Sequence, residues 1–273
     1  MNHLKFKPTN QILLGLSLAC AAAKVGAQSS YTILTTTADA FLAAGSPTNP
    51  HGSDLTSLNF GGAGTLAIAP ASSPDGAFDS VIRFNTAAAV SQFNSLYGAG
   101  GWTVSGVTLT LASNFGAQGQ QPNNNIFNTI NAGSFGIDWL ANDSWVEGAG
   151  SGNGEPGYPT TGEVSYNSIP SLLASGYDSL GTFTYTPPGS NIYVSYSLPA
   201  DANLDVGAAS GGDVNLYFYA ADNQVSYLFN ARSYASNHPE LTLTVVPTPE
   251  PSALALSAVG LAGLAFRRWK TRK

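Results

Sequence analysis

Carboxylates are the most numerous ionisable side chains in this sequence. Asp75 and Asp79 are four residues apart, and so are Asp201 and Asp205. Oxygen ligands of this kind suit Ca²⁺, although neither pair follows the spacing of an EF-hand loop. These four residues are therefore candidate ligands of a structural Ca²⁺, the one cofactor that the sequence suggests.

Catalytic motifs are missing from the sequence. A carboxylate pair such as Asp143 and Glu147 could act as acid and base on a glycosidic bond, but spacing selects no pair over another. His51 and His238 each precede or follow a proline and fit no H-E-x-x-H pattern, and no G-x-S-x-G elbow or P-loop occurs. We therefore expect no enzymatic activity. A polysaccharide hydrolase or lyase is the alternative.

Aromatic side chains are the candidates for carbohydrate binding. A flat ring can pack on the apolar face of a sugar while Asn, Gln and Asp side chains orient its hydroxyl groups. Trp102, Tyr158 and Tyr166 lie in loops or at the ends of expected strands. Tyr158, within the Gly- and Pro-rich stretch 147–163, is the one best placed for exposure. Packing in or beside the core is the alternative for each.

Positive charge is nearly absent from the middle of the chain. Between residues 25 and 266, Arg83 and Arg232 stand against sixteen acidic residues, a net charge of −14. Nucleic acid and anionic membrane surfaces would be repelled, so neither is an expected partner. We expect each arginine to lie in a strand and to form a partly buried structural ion pair. Recognition of an acidic sugar is the alternative.

The N-terminal residues have the pattern of a secretory signal peptide. Lys5 and Lys7 precede an apolar run at 12–23, and small residues follow up to Ala27. We predict a signal helix in residues 1–27, export through the Sec translocon and cleavage by signal peptidase after Ala27. The single cysteine, Cys20, would be removed, so the mature protein would lack disulfides. A lipid-modified Cys20 is the alternative.

The C-terminal residues contain an apolar segment followed by basic residues. Residues 252–266 carry no charge, and Arg267 and Arg268 follow at once. As a helix this segment would rise ~22 Å, somewhat less than a ~30 Å hydrocarbon core. We predict a transmembrane helix at 252–266, with the basic end in the cytoplasm and the acidic part of the chain outside. A core helix with a basic end is the alternative.

This segment resembles the PEP-CTERM sorting signal of Gram-negative bacteria. Pro249, Glu250 and Pro251 match the tripeptide of that signal, and Arg267 and Arg268 match its basic cluster. The resemblance implies that an exosortase-type sorting peptidase processes residues 247–273. It also implies a location in the cell envelope, at the outer surface or in the extracellular matrix. Contact with the membrane would be limited to the helix before processing.

Residues 28–246, called the body below, have the pattern of one all-β domain. Runs rich in β-branched residues, separated by Gly, Pro, Asn and Ser, indicate about ten short strands. At 103–112, Val107, Leu109 and Leu111 alternate with polar residues, which predicts one buried face. No convincing amphipathic helix is apparent, and 87–97 allows one or two helical turns. We predict a single jelly-roll β-sandwich.

The order of the strand patterns resembles that of DNRLRE-type modules, jelly-roll domains of secreted and carbohydrate-active proteins. FDSVIRFNT, GWTVSGVTLTL, DSWVEGAG and LFNARSYASNHPELTLTV carry the resemblance over roughly residues 35–246. Ala231, Arg232 and Ser233 depart from the Ser-Arg-Glu that this family often has. The expected function is a structural or adhesive role in an exopolysaccharide or biofilm matrix. A specific carbohydrate-binding module is the alternative.

Overall fold

A computed structural model describes residues 27–46, 54–114, 133–148, 162–184 and 193–248. Strands, all of them in antiparallel pairs, hold 47% of these residues, and helices hold 16%. The strands are β1 (Ser29–Ile33), β2 (Ala38–Ala43), β3 (Phe60–Gly61), β4 (Thr65–Ile68), β5 (Phe78–Asn85), β6 (Trp102–Ala112), β7 (Ser134–Leu140), β8 (Tyr177–Thr184), β9 (Tyr193–Leu198), β10 (Asp213–Ala220), β11 (Tyr227–Asn230) and β12 (Glu240–Pro247). The helices are α1 (Ala87–Tyr97), a 3₁₀ helix η1 (Tyr166–Ser168), α2 (Ile169–Ala174) and α3 (Ala202–Ser210).

The strands form two main sheets. One has four strands in the order β1-β12-β6-β9, and the other has six in the order β3-β2-β5-β10-β7-β8. Strands β11 and β4 pair separately. The connections from β5 to β6, from β6 to β7, from β8 to β9 and from β9 to β10 each pass from one sheet to the other. All pairings within the sheets are antiparallel, in agreement with the predicted all-β class.

The inner faces of the two sheets share one hydrophobic core. Val107, Leu109 and Leu111 of β6 are buried against Ile82 and Phe84 of β5 in the same cluster. The face predicted for 103–112 is therefore confirmed. Because successive side chains of a strand point to opposite faces, the threonines between these residues are left on the outside of the four-stranded sheet.

Helices are more prominent than the sequence indicated. Helix α1 runs for 11 residues; it buries Ala89 and Phe93 fully, and Val90 and Tyr97 pack against the core. Helix α3 begins at Asp201, whose side chain accepts hydrogen bonds from the backbone N–H groups of Asn203 (3.0 Å) and Leu204 (2.9 Å). The one or two helical turns allowed at 87–97 are thus a helix of 11 residues, and α3 was not predicted.

A second hydrophobic layer covers the outer face of the six-stranded sheet. Val81 of β5 and Tyr217 of β10 pack there with Trp145 and Leu172, which come from the loop after β7 and from α2. Tyr166, Tyr217 and Tyr219 of this layer contribute to the pocket described below, and Trp145 contributes to the contacts of Arg83. Among the residues that the structure describes, no helix is long and apolar enough to cross a membrane. The predicted signal helix and the span at 252–266 lie outside those residues.

Candidate functional site

A pocket of about 310 Å³ opens on the outer side of the six-stranded sheet, between η1 and the ends of β5 and β10. Its polar and aromatic lining consists of Asp79, Tyr166, Tyr219, Asp222 and Asn223, and alanines and a proline complete the wall. The volume lies at the lower end of the range of small-molecule sites. Among the described residues that line it, two are carboxylates and none is basic.

Asp79 is the most deeply buried polar group of the pocket. Only 8% of its surface is exposed, and its Oδ2 accepts a hydrogen bond of 2.7 Å from the hydroxyl group of Tyr217. Burial raises the pKa of Asp79 to about 6, against a smaller lowering by Tyr217. The pKa of Tyr217 is also raised, by its burial first and by the charge of Asp79 second. Tyr217 therefore stays protonated and donates to the carboxylate.

Two contacts hold the ring of Tyr219 in place. Its ring stacks on that of Tyr217, with centroids 5.7 Å apart, and it lies over Gly136 of β7, where a Cβ would overlap it. The charge of Asp138 acts on its hydroxyl group. Burial raises the pKa of both Tyr219 and Asp138. The aromatic wall of the pocket is therefore fixed by the sheet.

Asp222 lies at the rim, in the turn after β10. Its Oδ1 accepts hydrogen bonds from the backbone N–H groups of Gln224 (2.8 Å) and Val225 (2.9 Å). These contacts form an Asx turn, which sets the direction of the carboxylate. The neighbouring Asn223 is exposed and adds an amide group to the same rim.

Arg83 lies in β5, as predicted, and holds the loop after β7 on the sheet. Its Nε donates to the Oδ1 of Asn215 (2.9 Å), and its Nη2 donates to the carbonyl oxygen of Trp145 (2.8 Å). The guanidinium carbon lies 4.4 Å from the centroid of the Trp145 ring, within the range of a cation–π contact. Asp213 is 3.7 Å away from Nε. Burial lowers the pKa of Arg83, but a guanidinium keeps its charge at neutral pH.

Arg232 lies in the turn after β11, so its predicted position in a strand was wrong. The backbone turns at this point, and the N–H of Tyr234 donates to the carbonyl oxygen of Ala231 at 3.1 Å. The side chain pairs with Glu147, and the backbone N–H donates to the Oδ2 of Asp39 at 2.7 Å. Burial raises the pKa of both carboxylic acids.

The aromatic candidates have three different positions. Tyr166 lines the pocket, and Tyr158 lies outside the described residues. Trp102 is only 8% exposed, packs on Phe93 with ring centroids 5.2 Å apart, and donates from Nε1 to Asn94. Its predicted role as an exposed platform for sugars is wrong, because β6 begins with this side chain directed to the core.

The four predicted calcium ligands are not brought together. Asp79 lines the pocket, whereas Asp201 caps α3 and Asp205 follows in the first turn of that helix. Asp75 lies in the turn before β5. Within the part of the chain that the structure describes, no group of three or more His, Cys, Asp or Glu side chains could hold a metal ion.

The sequence reasoning missed Asn215, Tyr217 and Tyr219, which all belong to β10. The alternation of residue types in β10 could have indicated them. Val214, Leu216 and Phe218 alternate with these three residues, and the apolar set enters the main core. The other face of β10 had to point to the opposite side of the sheet, and it carries an amide and two hydroxyl groups.

The end of the chain matches the model of a known family. Residues 247–268 match the PEP-CTERM protein-sorting motif. The chain carries a PEP-CTERM sorting signal. Such signals direct exported proteins to exosortase and mark proteins of the cell envelope, so this is a secreted, exosortase-sorted surface protein. No curated protein sequence matches the chain.

The sorting segment, residues 247–268, begins directly at the end of the fold. Its first residue, Pro247, is the last residue of β12 and pairs with Trp102. The next residue, Thr248, donates from its backbone N–H to the carbonyl oxygen of Gly101 at 2.9 Å. The predicted sorting residues Pro249, Glu250, Pro251, Arg267 and Arg268 follow outside the described part of the chain.

Proposed function

We propose that this protein is a non-enzymatic component of the extracellular matrix of a Gram-negative bacterium, with a structural or adhesive role in exopolysaccharide or biofilm. The observation that carries the proposal is the PEP-CTERM match at residues 247–268, because it marks the chain for export and sorting. The proposed processing includes cleavage after Ala27 by signal peptidase and removal of the C-terminal segment.

The order of the strands supports a jelly roll as the fold of the body. The first strand, β1, pairs with the last, β12, and β5 pairs with β10. The chain passes back and forth between two antiparallel sheets, as expected of interleaved Greek keys. The proposed relationship to DNRLRE-type modules belongs to this interpretation and rests on the order of the strand patterns.

Cell fractionation tests the proposed sorting. We would compare cells that produce the full chain, a chain that ends at Thr248, and a chain with Pro249, Glu250 and Pro251 replaced by alanine. The expected result is that the full chain reaches the outer surface or the matrix and that both variants accumulate elsewhere. Asp54→Asn, a substitution in the body, serves as the control. An unchanged location of both variants would contradict the proposal.

The matrix role needs a separate measurement. Cells that lack the protein should form a biofilm with less retained polysaccharide or weaker cohesion, and the full chain should restore it. Purified protein should release no sugar from matrix polysaccharide. Turnover that a single carboxylate substitution abolishes would favour a hydrolase or lyase instead.

The pocket favours a second function, specific carbohydrate binding. Tyr166 and Tyr219 supply aromatic surface, while Asp79, Asp222 and Asn223 supply groups that can hydrogen-bond to hydroxyls. Binding to an array of bacterial and plant glycans tests this function. Saturable binding that Tyr166→Ala removes would support it, provided that circular dichroism shows an unchanged fold. No binding to any glycan would contradict it.

A further inference from the structure

We propose that the pocket binds a sugar residue that carries a free ammonium group, such as an unacetylated hexosamine within a polysaccharide. This inference rests on the proposed function of carbohydrate binding and specifies its ligand. The evidence for the inference is the charge of the residues in and around the pocket and the burial of Asp79.

Among the described residues of the pocket, none gives the buried carboxylate of Asp79 a counter-charge. Its hydrogen-bonding partner, Tyr217, is neutral, and the described residues that line the pocket include no arginine, lysine or histidine. A carboxylate that is 8% exposed carries a large desolvation cost when it is ionised. A ligand with a positive charge would offset this cost, whereas the hydroxyl groups of a neutral sugar would offer hydrogen bonds but no counter-charge.

The second carboxylate, Asp222, adds to the negative potential at the rim. Its Oδ1 is engaged by two backbone N–H groups of its own turn, so the carboxylate direction is fixed before a ligand arrives. An ammonium group has three N–H donors and no acceptor. Asp79, Asp222 and the amide oxygen of Asn223 provide acceptors of the kind that such a group requires.

An acidic sugar would need a positively charged side chain, and both arginines of the body already have partners. The two cations between residues 25 and 266 are Arg83 and Arg232. Arg83 is engaged with Asn215 and Trp145, and Arg232 with Glu147. A uronic acid would therefore meet two carboxylates in the pocket and a strongly negative body around it. The structure thus argues against recognition of an acidic sugar, which the sequence had left open.

Tyr166 and Tyr219 would contact the sugar ring itself. Tyr166 is half-buried and comes from η1, whereas Tyr219 is fixed on the sheet by Tyr217 and Gly136. Together with the surrounding alanines they provide apolar surface for the C–H groups of a pyranose. A volume of about 310 Å³ suits one such residue of a chain, with its neighbours extending into solvent.

Isothermal titration calorimetry with three tetrasaccharides tests the inference. The ligands are tetramers of glucosamine, N-acetylglucosamine and glucuronic acid, added to the exported protein made from the full-length chain. At pH 6.5 and low salt, we expect the glucosamine tetramer to bind at least tenfold more tightly than either of the others. Its affinity should fall as the NaCl concentration rises, because a charge pair is screened.

Three variants locate the effect. Asp79→Asn and Asp222→Asn should each weaken binding of the glucosamine tetramer by tenfold or more. Asp54→Asn removes one negative charge elsewhere, and its amide oxygen can still accept from Thr56, as Oδ1 of Asp54 does at 3.0 Å. This control should bind like the unchanged protein. An equal loss in all three variants would show non-specific attraction to the acidic body and would overturn the inference.

The other outcomes separate the inference from the function on which it rests. Equal binding of the glucosamine and N-acetylglucosamine tetramers, with loss on Tyr166→Ala, would preserve carbohydrate binding and overturn the ammonium preference. A preference for glucuronic acid would also overturn it. If neither these tetramers nor any glycan of the array binds, both the inference and the carbohydrate-binding function are wrong.

Discussion

The hydroxyl group of Tyr217 donates a 2.7 Å hydrogen bond to the Oδ2 of Asp79 across two paired strands. Tyr217 lies opposite Val81 in the pairing of β10 with β5, so Asp79 is its diagonal neighbour. One hydrogen bond from a neutral donor does not repay the desolvation of this carboxylate, and its pKa is raised to about 6. The contribution of this pair to the free energy of unfolding therefore depends on pH.

The first prediction concerns this pH dependence. Between the ordinary pKa of 3.8 and about 6, the folded protein holds the proton of Asp79 more tightly than the unfolded chain does. The contribution of Asp79 to the free energy of unfolding should thus be largest below pH 3.8 and should be lost as the pH rises to about 6. The loss is at most about 3 kcal/mol, at 1.36 kcal/mol per pKa unit.

Urea denaturation of the unchanged protein and of Asp79→Asn, from pH 4 to pH 8, measures this contribution. Asparagine cannot titrate, and its Oδ1 can still accept from Tyr217. The variant should gain stability relative to the unchanged protein as the pH rises from 4 to 6, with a constant difference above pH 6.5. Other carboxylic acids with raised pKa, such as Asp39 and Glu147, affect both proteins equally. Parallel pH profiles would refute the prediction.

The second prediction concerns Asn215, which joins Arg83 to Trp145. Its Oδ1 accepts from Arg83 Nε at 2.9 Å and from Trp145 Nε1 at 2.8 Å. Asn215→Ala leaves two donors without this acceptor, one of them charged, and should lower the free energy of unfolding by about 2–5 kcal/mol. Asn203→Ala removes an exposed amide that donates to Asp178 and should cost less than about 1 kcal/mol. Equal losses in the two variants would contradict the prediction, because the buried Asn215 would then stabilise the fold no more than the exposed Asn203 does.

The third prediction concerns the pair of Arg232 and Glu147. Arg232→Met leaves Glu147 beside the buried Asp39 without its partner, so we expect a loss of about 1–4 kcal/mol at pH 7. The loss should be smaller at pH 4.5, where the carboxylates can take up protons. Adding Glu147→Gln should restore part of the stability at pH 7. A double variant as unstable as the sum of the single variants would rule out coupling between the two side chains.

Strands that bury one face could be predicted from the sequence, whereas fully buried or unpatterned elements could not. Val107, Leu109 and Leu111 alternate with polar residues, and β6 was recognised from this pattern. All six residues of β2 are buried, so the strand shows no alternation. Helix α1 buries Ala89 and Phe93 fully, with Val90 and Tyr97 packed beside them, and an exposed Leu96 interrupts this pattern. Neither pattern distinguishes these elements from the surrounding chain.

The composition of the pocket could be predicted in part, but its assembly could not. Asp79 and Tyr166 were both candidates, for a metal and for a sugar, from separate parts of the sequence. They meet because η1 crosses the outer face of the sheet beside β10, and no local pattern encodes that crossing. Trp102 illustrates the opposite error. Its place at the start of a strand was recognised, but not the face to which its side chain points.

The fourth prediction tests whether the position of Tyr219 matters for binding. A methyl group at Gly136 would overlap the Tyr219 ring, so Gly136→Ala must displace that ring from the wall of the pocket. We expect a stability loss of about 1–3 kcal/mol and at least tenfold weaker binding of the glucosamine tetramer, measured in the folded protein. Gly106→Ala is the matched control, because a Cβ at this strand glycine lies 3.9 Å from the nearest atom, the Cβ of Thr244. Unchanged binding in Gly136→Ala would mean that the sugar ring does not pack on Tyr219.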